Sequence, residues 1–249
     1  MGLLVYIGLQ LFFLILFSLP VLGLRDRVSQ GTLARAFAYG FAGWLLAFLR
    51  IILIQIWQIF VLVRHGVNYL DSAEITHSPV IYSYEFNLLG PILSGLFEEP
   101  VRYLLLFAAL KHPEDRNLRK YLPLVFGLGW AYSEILIVTL PFLNAPSVDA
   151  FSLSVSVYER AIATVLHVCL TYVVLYGKID RKRSLWLAIL VHDLINTVLV
   201  VMMLELRHLD PTLLVYLLEG VLTFLVGVFV LYARIHIRNR ETFLKSVQT

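Results

Sequence analysis

Gly95-Leu96-Phe97-Glu98-Glu99-Pro100-Val101-Arg102-Tyr103 sets two adjacent carboxylates and a guanidinium at the head of an apolar run that continues through Leu110. Ionisable groups at membrane depth are expensive unless they pair or line a polar cavity, so this clustering is the least accidental feature of the chain. Pro100 suits a first helical turn, where its missing N–H has no intrahelical acceptor to lose. On a helix Arg102 lies four residues from Glu98 and three from Glu99, so it can pair with either. Taken by itself the stretch reads equally well as a buried structural ion pair or as part of a site.

The surroundings decide the class. The chain is 59% hydrophobic and only 15% charged, with a mean hydropathy of +0.81. Soluble domains carry about 25% charged residues, so a polytopic membrane protein is expected. Only helices and closed barrels satisfy their backbone in lipid. The apolar runs are long and continuous rather than alternating, which predicts an all-α transmembrane bundle. One cysteine, Cys169, excludes an internal disulfide. The calculated pI near 9.0 is no sign of nucleic-acid binding, because the basic residues sit in short loops where a topology signal accounts for them.

At roughly 20 residues per crossing, the chain offers about seven spans: Leu3–Leu24, Leu33–Val63, Phe86–Leu110, Tyr121–Phe142, Phe151–Gly177, Leu185–Leu206 and Pro211–Ile235. The first lacks the basic flank and small-residue cleavage site of a signal peptide and is kept as a span. The second is too long for a perpendicular crossing and should tilt or run past the headgroups. No repeat or linker divides residues 1–249, so one integral-membrane domain is expected, with its polar site built mainly from 90–200. Basic residues gather in alternate loops: Arg25, Arg27 and Arg35; Lys111, Arg116, Arg119 and Lys120; Lys178, Arg181, Lys182 and Arg183; Arg234, Arg238, Arg240 and Lys245. The intervening loops hold only Arg64 and Arg207. The positive-inside rule then places the N-terminus outside and the C-terminus in the cytoplasm, in a multi-pass protein of the plasma membrane.

Polar groups remain inside the spans: Arg50, Arg102, Arg160, Glu98, Glu99, Glu134, Glu159, His167, His192, Asp193 and Asn196. Arg160 and His167 are seven residues apart and share a helical face, as do His192 and Asn196 at a spacing of four. Glu134 follows Gly127-Leu128-Gly129, whose small residues allow close helix approach. Each of these groups needs partners, and the cheapest partners are one another, so a shared polar site is expected. Arg50 stands near the middle of a long span, which makes pairing with a site glutamate a better reading than snorkelling. The polar segment from Arg64 to Glu85 is a loop that either gates access or simply connects.

That inventory supports hydrolysis in two ways. A carboxylate beside an imidazole can take a proton from water, while an imidazole and an amide on one face can donate to a developing oxyanion. Alternatively His167, His192 and Glu98 could ligate zinc, leaving a position open for water. A nucleophilic triad is less supported. Ser133, beside Glu134, has no histidine on its helix, and Cys169 points away from His167 and suits packing.

Four segments resemble the YhfC family of intramembrane metalloproteases: Phe97 to Tyr103 with its Glu98-Glu99 pair, Gly127 to Glu134, Glu159-Arg160 with His167, and His192-Asp193-Leu194-Ile195-Asn196. The resemblance covers about Gly90 to Val200. YhfC is similar in turn to the CAAX-type prenyl proteases and bacteriocin-processing enzymes and to PrsW-type proteases. The span count also looks like the seven-span scaffold subunit of γ-secretase. Carried over, the resemblance implies that Glu98 or Glu99 activates water with His167. His192 and Asn196 would then hold the oxyanion or help to hold a metal. Arg102, Glu134, Glu159 and Arg160 would be supporting residues. Zinc is the implied cofactor, with none needed for a glutamate–histidine mechanism. Arg102 follows the second glutamate by three residues, closer to YhfC and PrsW than to the CAAX-type pattern. Trp130 stands where YhfC-like sequences lead one to expect a histidine.

The resulting expectation is an intramembrane endopeptidase that cuts a membrane-embedded or lipidated protein or peptide within the lipid bilayer, with no nucleic-acid partner. The alternative is a non-catalytic scaffold or chaperone subunit that uses the same cluster to pack its helices. A transporter is less supported, because no pair of broken spans marks inverted repeats.

Overall fold

The computed structural model describes residues 2–110, 118–177 and 183–247. Ten helices form among them: α1 (Gly2–Leu22), α2 (Gln30–Phe48), α3 (Arg50–Arg64), α4 (Ser72–His77), α5 (Tyr84–Asn87), α6 (Leu89–Leu110), α7 (Leu118–Val138), α8 (Ala150–Gly177), α9 (Arg183–Glu205) and α10 (Pro211–Val247). Single 3-10 turns at Pro79–Tyr82 and Leu140–Asn144 complete the chain, and no strand occurs among the described residues. The all-helical expectation therefore holds.

Six stretches are long and apolar enough to cross a membrane: Gly2–Leu22, Gln30–Arg64, Lys120–Asn144, Ala150–Leu175, Ser184–Glu205 and Pro211–Ile235. The chain is a multi-pass membrane protein. The expected third span, now α6, has comparable length at 22 residues but differs from the six in carrying Glu98, Glu99 and Arg102. Of the loop charges behind the expected orientation, Lys111, Arg116, Lys178, Arg181 and Lys182 lie outside the described residues.

Local chemistry sets the helix ends. Ser29 accepts the Thr32 N–H at the start of α2, and Asp71 accepts the Ala73 and Glu74 N–H groups at α4. Each cap satisfies donors that a helix start leaves without partners. Ahead of α8, Asp149 accepts the Ser152 hydroxyl and backbone N–H, and these bonds hold its carboxyl below the usual range. The connector from Arg64 to Glu85 is tied down at its far end. Arg64 pairs with Glu85 at 2.6 Å, Trp57 Nε1 donates to the Glu85 carbonyl at 2.7 Å, and Tyr84 bonds Glu205 on α9.

Two helices depart from their sequence reading. Pro100 does not open a helix. α6 begins at Leu89, so Pro100 lies inside it and removes the N–H that Leu96 O would otherwise accept. The hydrogen bonds of the helix before and after it keep the turn, as is common for proline in membrane helices. The overlong second span, Gln30–Arg64, is interrupted at a single residue, Leu49, which divides it into α2 and α3. Leu49 N–H bonds to Leu46 O at 3.2 Å, and Arg50 Nη1 adds a bond to Ala47 O at 3.2 Å.

α7 is the innermost element: about two-thirds of its apolar window is buried, against 28% or less for the other five. It lies against α2 on one side and α8 on another, while α6 packs on α2 and α9. The close approach expected of the glycine pair is real, and each glycine serves a different neighbour. A Cβ at Gly129 would strike the Phe37 carbonyl oxygen of α2, and one at Gly127 would come within 2.8 Å of Val168 Cα on α8. Gly40 answers from α2, where a Cβ would strike the Phe126 carbonyl of α7. Gln10 of α1 donates to Thr139, the residue after α7, at 2.7 Å, beside an apolar seam of Leu9, Phe13 and Phe17.

Overpacking a close-packed interior costs about 1–3 kcal/mol where neighbours can shift, and backbone cannot shift as a side chain can. Gly129→Val should therefore lower stability by at least that amount, while Gly220→Val, at a position with nothing near its missing Cβ, should stay within about 0.5 kcal/mol. Unfolding in mixed micelles measures both, and equal losses would refute the α2–α7 contact.

Candidate functional site

The site forms where α6, α7, α8 and α9 bring their polar faces together, with Arg50 of α3 entering from the side. Its centre is Arg102, which is fully buried, as is Glu99. Arg102 Nε lies 2.9 Å from Glu99 Oε2, and Nη2 donates to Glu99 Oε1 at 3.2 Å. The arginine thus takes the nearer of its two possible partners in sequence. Its Nη1 crosses to α8 and donates to the His167 carbonyl at 3.0 Å and to Thr171 Oγ1 at 2.8 Å.

The protons of His167 follow from its neighbours. Arg102 Nη2 lies 3.1 Å from His167 Nδ1, and a guanidinium has donors only, so Nδ1 accepts and carries no hydrogen. The ring proton is then on Nε2, which donates to Glu134 Oε2 on α7 at 2.5 Å. Arg160, one face with His167 as expected, takes the other Glu134 oxygen at 2.6 Å and also pairs with Glu159 beside it. His167 is thereby saturated at both nitrogens.

His192 differs. Its Nδ1 lies 2.8 Å from Glu99 Oε1 and donates to that carboxylate. Nε2 has no hydrogen-bond partner among the described residues. The two imidazoles stand edge to face, with centroids 5.8 Å apart. The rest of the α9 motif clamps the same helix. Asp193 Oδ1 accepts the Gly95 N–H at 2.7 Å, and Asn196 Nδ2 donates to Ser94 Oγ at 2.7 Å. His192, Asp193 and Asn196 therefore all grip α6 within the turn or two around Glu98 and Glu99.

Glu98 belongs to a separate, adjoining pair. Arg50 Nη2 meets its Oε1 at 2.7 Å, and Trp130 Nε1 donates to its Oε2 at 3.1 Å. The Trp130 ring links both halves, since Arg102 stacks over it at 4.2 Å, a favourable cation–π arrangement. Trp130 thus gives Glu98 a neutral donor where a histidine was expected.

The expected residues accordingly fall in two adjoining groups. Glu99, Arg102, His167, Glu134, Glu159, Arg160 and His192 form one connected chain of contacts, while Glu98 pairs aside and Asn196 is held one turn away. The zinc set proposed from His167, His192 and Glu98 does not converge. Both nitrogens of His167 and both oxygens of Glu98 are engaged, and Arg102 brings its positive charge to within 3.1 Å of His167. Among the described residues, no group of three or more His, Cys, Asp or Glu side chains is placed to hold a metal ion. Ser133 Oγ is buried without a partner, and Cys169 packs against the apolar core.

Several participants were not assigned from sequence. The pairing of Arg50 with Glu98 had a signal, a charge at mid-span. Thr171 had a weak one, since it follows His167 by four residues. Ser94, Gly95 and Trp130 carry no sign of their role in the sequence. Comparison with protein-family models, with curated proteins and with solved structures gives no match.

Removing one member of a fully buried pair leaves an uncompensated charge and costs about 3–5 kcal/mol. Arg102→Met should fall in that range, and Arg50→Met, whose side chain is 14% exposed, below it. Equal, small losses in reversible unfolding would mean that Arg102 is not the centre of the network.

Proposed function

We propose that the protein is an intramembrane hydrolase that cuts a peptide bond in a membrane-embedded or lipidated substrate, with His192 as the base and Glu99 as its orienting carboxylate. One observation carries the reading: of the two buried imidazoles, only His192 keeps a ring nitrogen without a partner, and its other nitrogen is fixed on a carboxylate. An imidazole held in this way can take a proton from water at Nε2. The hydroxide so formed adds to the substrate carbonyl, and the same proton passes to the leaving amine. Asn196 bonds Ser94 through one amide hydrogen, and its second is available to the developing oxyanion. In this scheme His167, Glu134, Arg160 and Glu159 position Arg102, and Arg102 positions Glu99. The family reading, with Glu98 or Glu99 as the water-activating group, is the variant that this arrangement supports less, because arginine engages both carboxylates.

The membrane setting completes the proposal. α6 is the seventh crossing, its three charges offset inside the protein. The N-terminus is outside and the C-terminus in the cytoplasm of a plasma-membrane protein. A scaffold function remains the second reading, favoured by the pairing of every glutamate in the cluster with an arginine.

His192→Gln separates the two readings. Mass spectrometry of new N-termini in the membrane proteome of expressing cells should find cleavage products that disappear in this variant. Its melting temperature should drop by no more than about 5 °C, since one lost hydrogen bond is worth roughly 1 kcal/mol. Products that persist in the variant would end the assignment of His192. No products even from the wild type would favour the scaffold. Metal analysis gives a further check. With the side chains arranged as they are, wild type, His167→Ala and His192→Ala should carry the same zinc content. About one zinc per chain, lost in both variants, would mean that the cluster opens into a tetrahedral site with a free position.

A further inference from the structure

Far from the polar cluster, α1 and the start of α2 diverge around a cavity of about 410 Å³. α1 takes its contacts mainly from α7 and the Leu140–Asn144 turn, so the space between it and α2 is left unfilled. The walls are Leu14, Phe17, Val21, Leu33 and Phe37, with Ala34 exposed along one side. Ser18 adds no free donor to the wall, since its hydroxyl is spent on the Ile15 carbonyl at 2.8 Å. The polarity changes sharply at one end, where Arg25 and Gln30 complete the lining.

That end is the basic end of the molecule. Arg27 donates to the Tyr121 hydroxyl at 2.7 Å, Lys120 lies over the Tyr121 ring, and Arg35 is exposed on α2 close by in sequence. The nearby acid is Asp26, which faces Arg25 Nε at 3.7 Å, too far for a hydrogen bond, and both side chains are exposed. An exposed pair of this length is worth little, so Arg25 remains an anion donor. The volume lies within the range of small-molecule sites, about 300–1,000 Å³. An apolar slot with a guanidinium at its mouth matches one kind of molecule abundant around a membrane protein.

We propose that this crevice is a binding site for an anionic phospholipid, with an acyl chain between α1 and α2 and the headgroup phosphate at Arg25 and Gln30. Charge complementarity selects the headgroup, since basic pockets between membrane helices attract anionic lipids. The apolar wall favours the chain through burial of its methylenes. The site is independent of the hydrolase reading, because none of its residues touches the polar cluster.

The test reconstitutes the full-length protein in nanodiscs of equal parts phosphatidylglycerol and phosphatidylcholine, then identifies the retained lipid by native mass spectrometry. Wild type should retain phosphatidylglycerol in preference to phosphatidylcholine. Arg25→Ala should reduce that preference about fivefold, the effect of one basic residue near a headgroup, and Arg25→Lys should restore most of it. Ala34→Trp, at an exposed position facing the slot, should displace the chain and reduce retention of both lipids, with the melting temperature in detergent unchanged. Equal retention of the two lipids, capture of a free fatty acid instead, or retention that survives Ala34→Trp would each overturn the proposal.

Discussion

The buried ion pair between Glu99 and Arg102 is the constraint on which the rest of the structure depends. Neither side chain is exposed at all, and a charge at that depth is tolerable only when its partner and its remaining hydrogen-bonding positions are all supplied. A carboxylate and a guanidinium three residues apart on α6 can meet each other, but they cannot fill their own remaining valences. Arg102 needs acceptors on another helix, and α8 supplies the His167 carbonyl, the His167 ring and Thr171. Glu99 needs a further donor, and α9 supplies His192. The relative placement of three helices is thereby fixed by one pair of charges, since apolar contact in lipid alone sets helix register only weakly.

The same requirement propagates outward. His167 must present its lone pair to Arg102, so its proton faces Glu134. Glu134 then has an oxygen to spare and meets Arg160. Glu98, next to Glu99 in sequence but on another face of α6, repeats the pattern with Arg50 and Trp130. The break at Leu49 fits this arrangement. Arg50, the residue after it, donates through Nη1 to the Ala47 carbonyl and meets Glu98 through Nη2.

Much of this was legible because charge in an apolar sequence is rare and therefore specific. The pairing of Arg102 with a neighbouring glutamate, the shared face of Arg160 and His167, and the shared face of His192 and Asn196 all follow from spacings of three, four and seven residues. The glycines that bring α7 against α2 and α8 were equally visible. What could not be read were relations between helices distant in sequence. Nothing local distinguishes Trp130 as the donor to Glu98, or Ser94 as the acceptor for Asn196, because those matches depend on the depth at which two helices meet. The helix break was missed because neither Leu49 nor Arg50 is a helix breaker, and Leu49 itself keeps a helical backbone conformation. Pro100 misled in the opposite sense, since in lipid the surrounding helix keeps a turn that would often end in water.

The charged groups of the cluster are largely paired with one another. Arg50, Arg102 and Arg160 offset Glu98, Glu99 and Glu134, while Glu159, with a side chain 42% exposed, shares Arg160, and Asp193 accepts the Gly95 N–H. The guanidinium of Arg102 lies 3.1 Å from His167 Nδ1 and occupies its lone pair. His167 has both ring nitrogens engaged, by Arg102 and Glu134. His192 gives Glu99 one hydrogen bond through Nδ1 and leaves Nε2 without a partner among the described residues. That nitrogen is the one the proposed hydrolase would use, whereas a scaffold would need only the Nδ1 bond that joins α9 to α6.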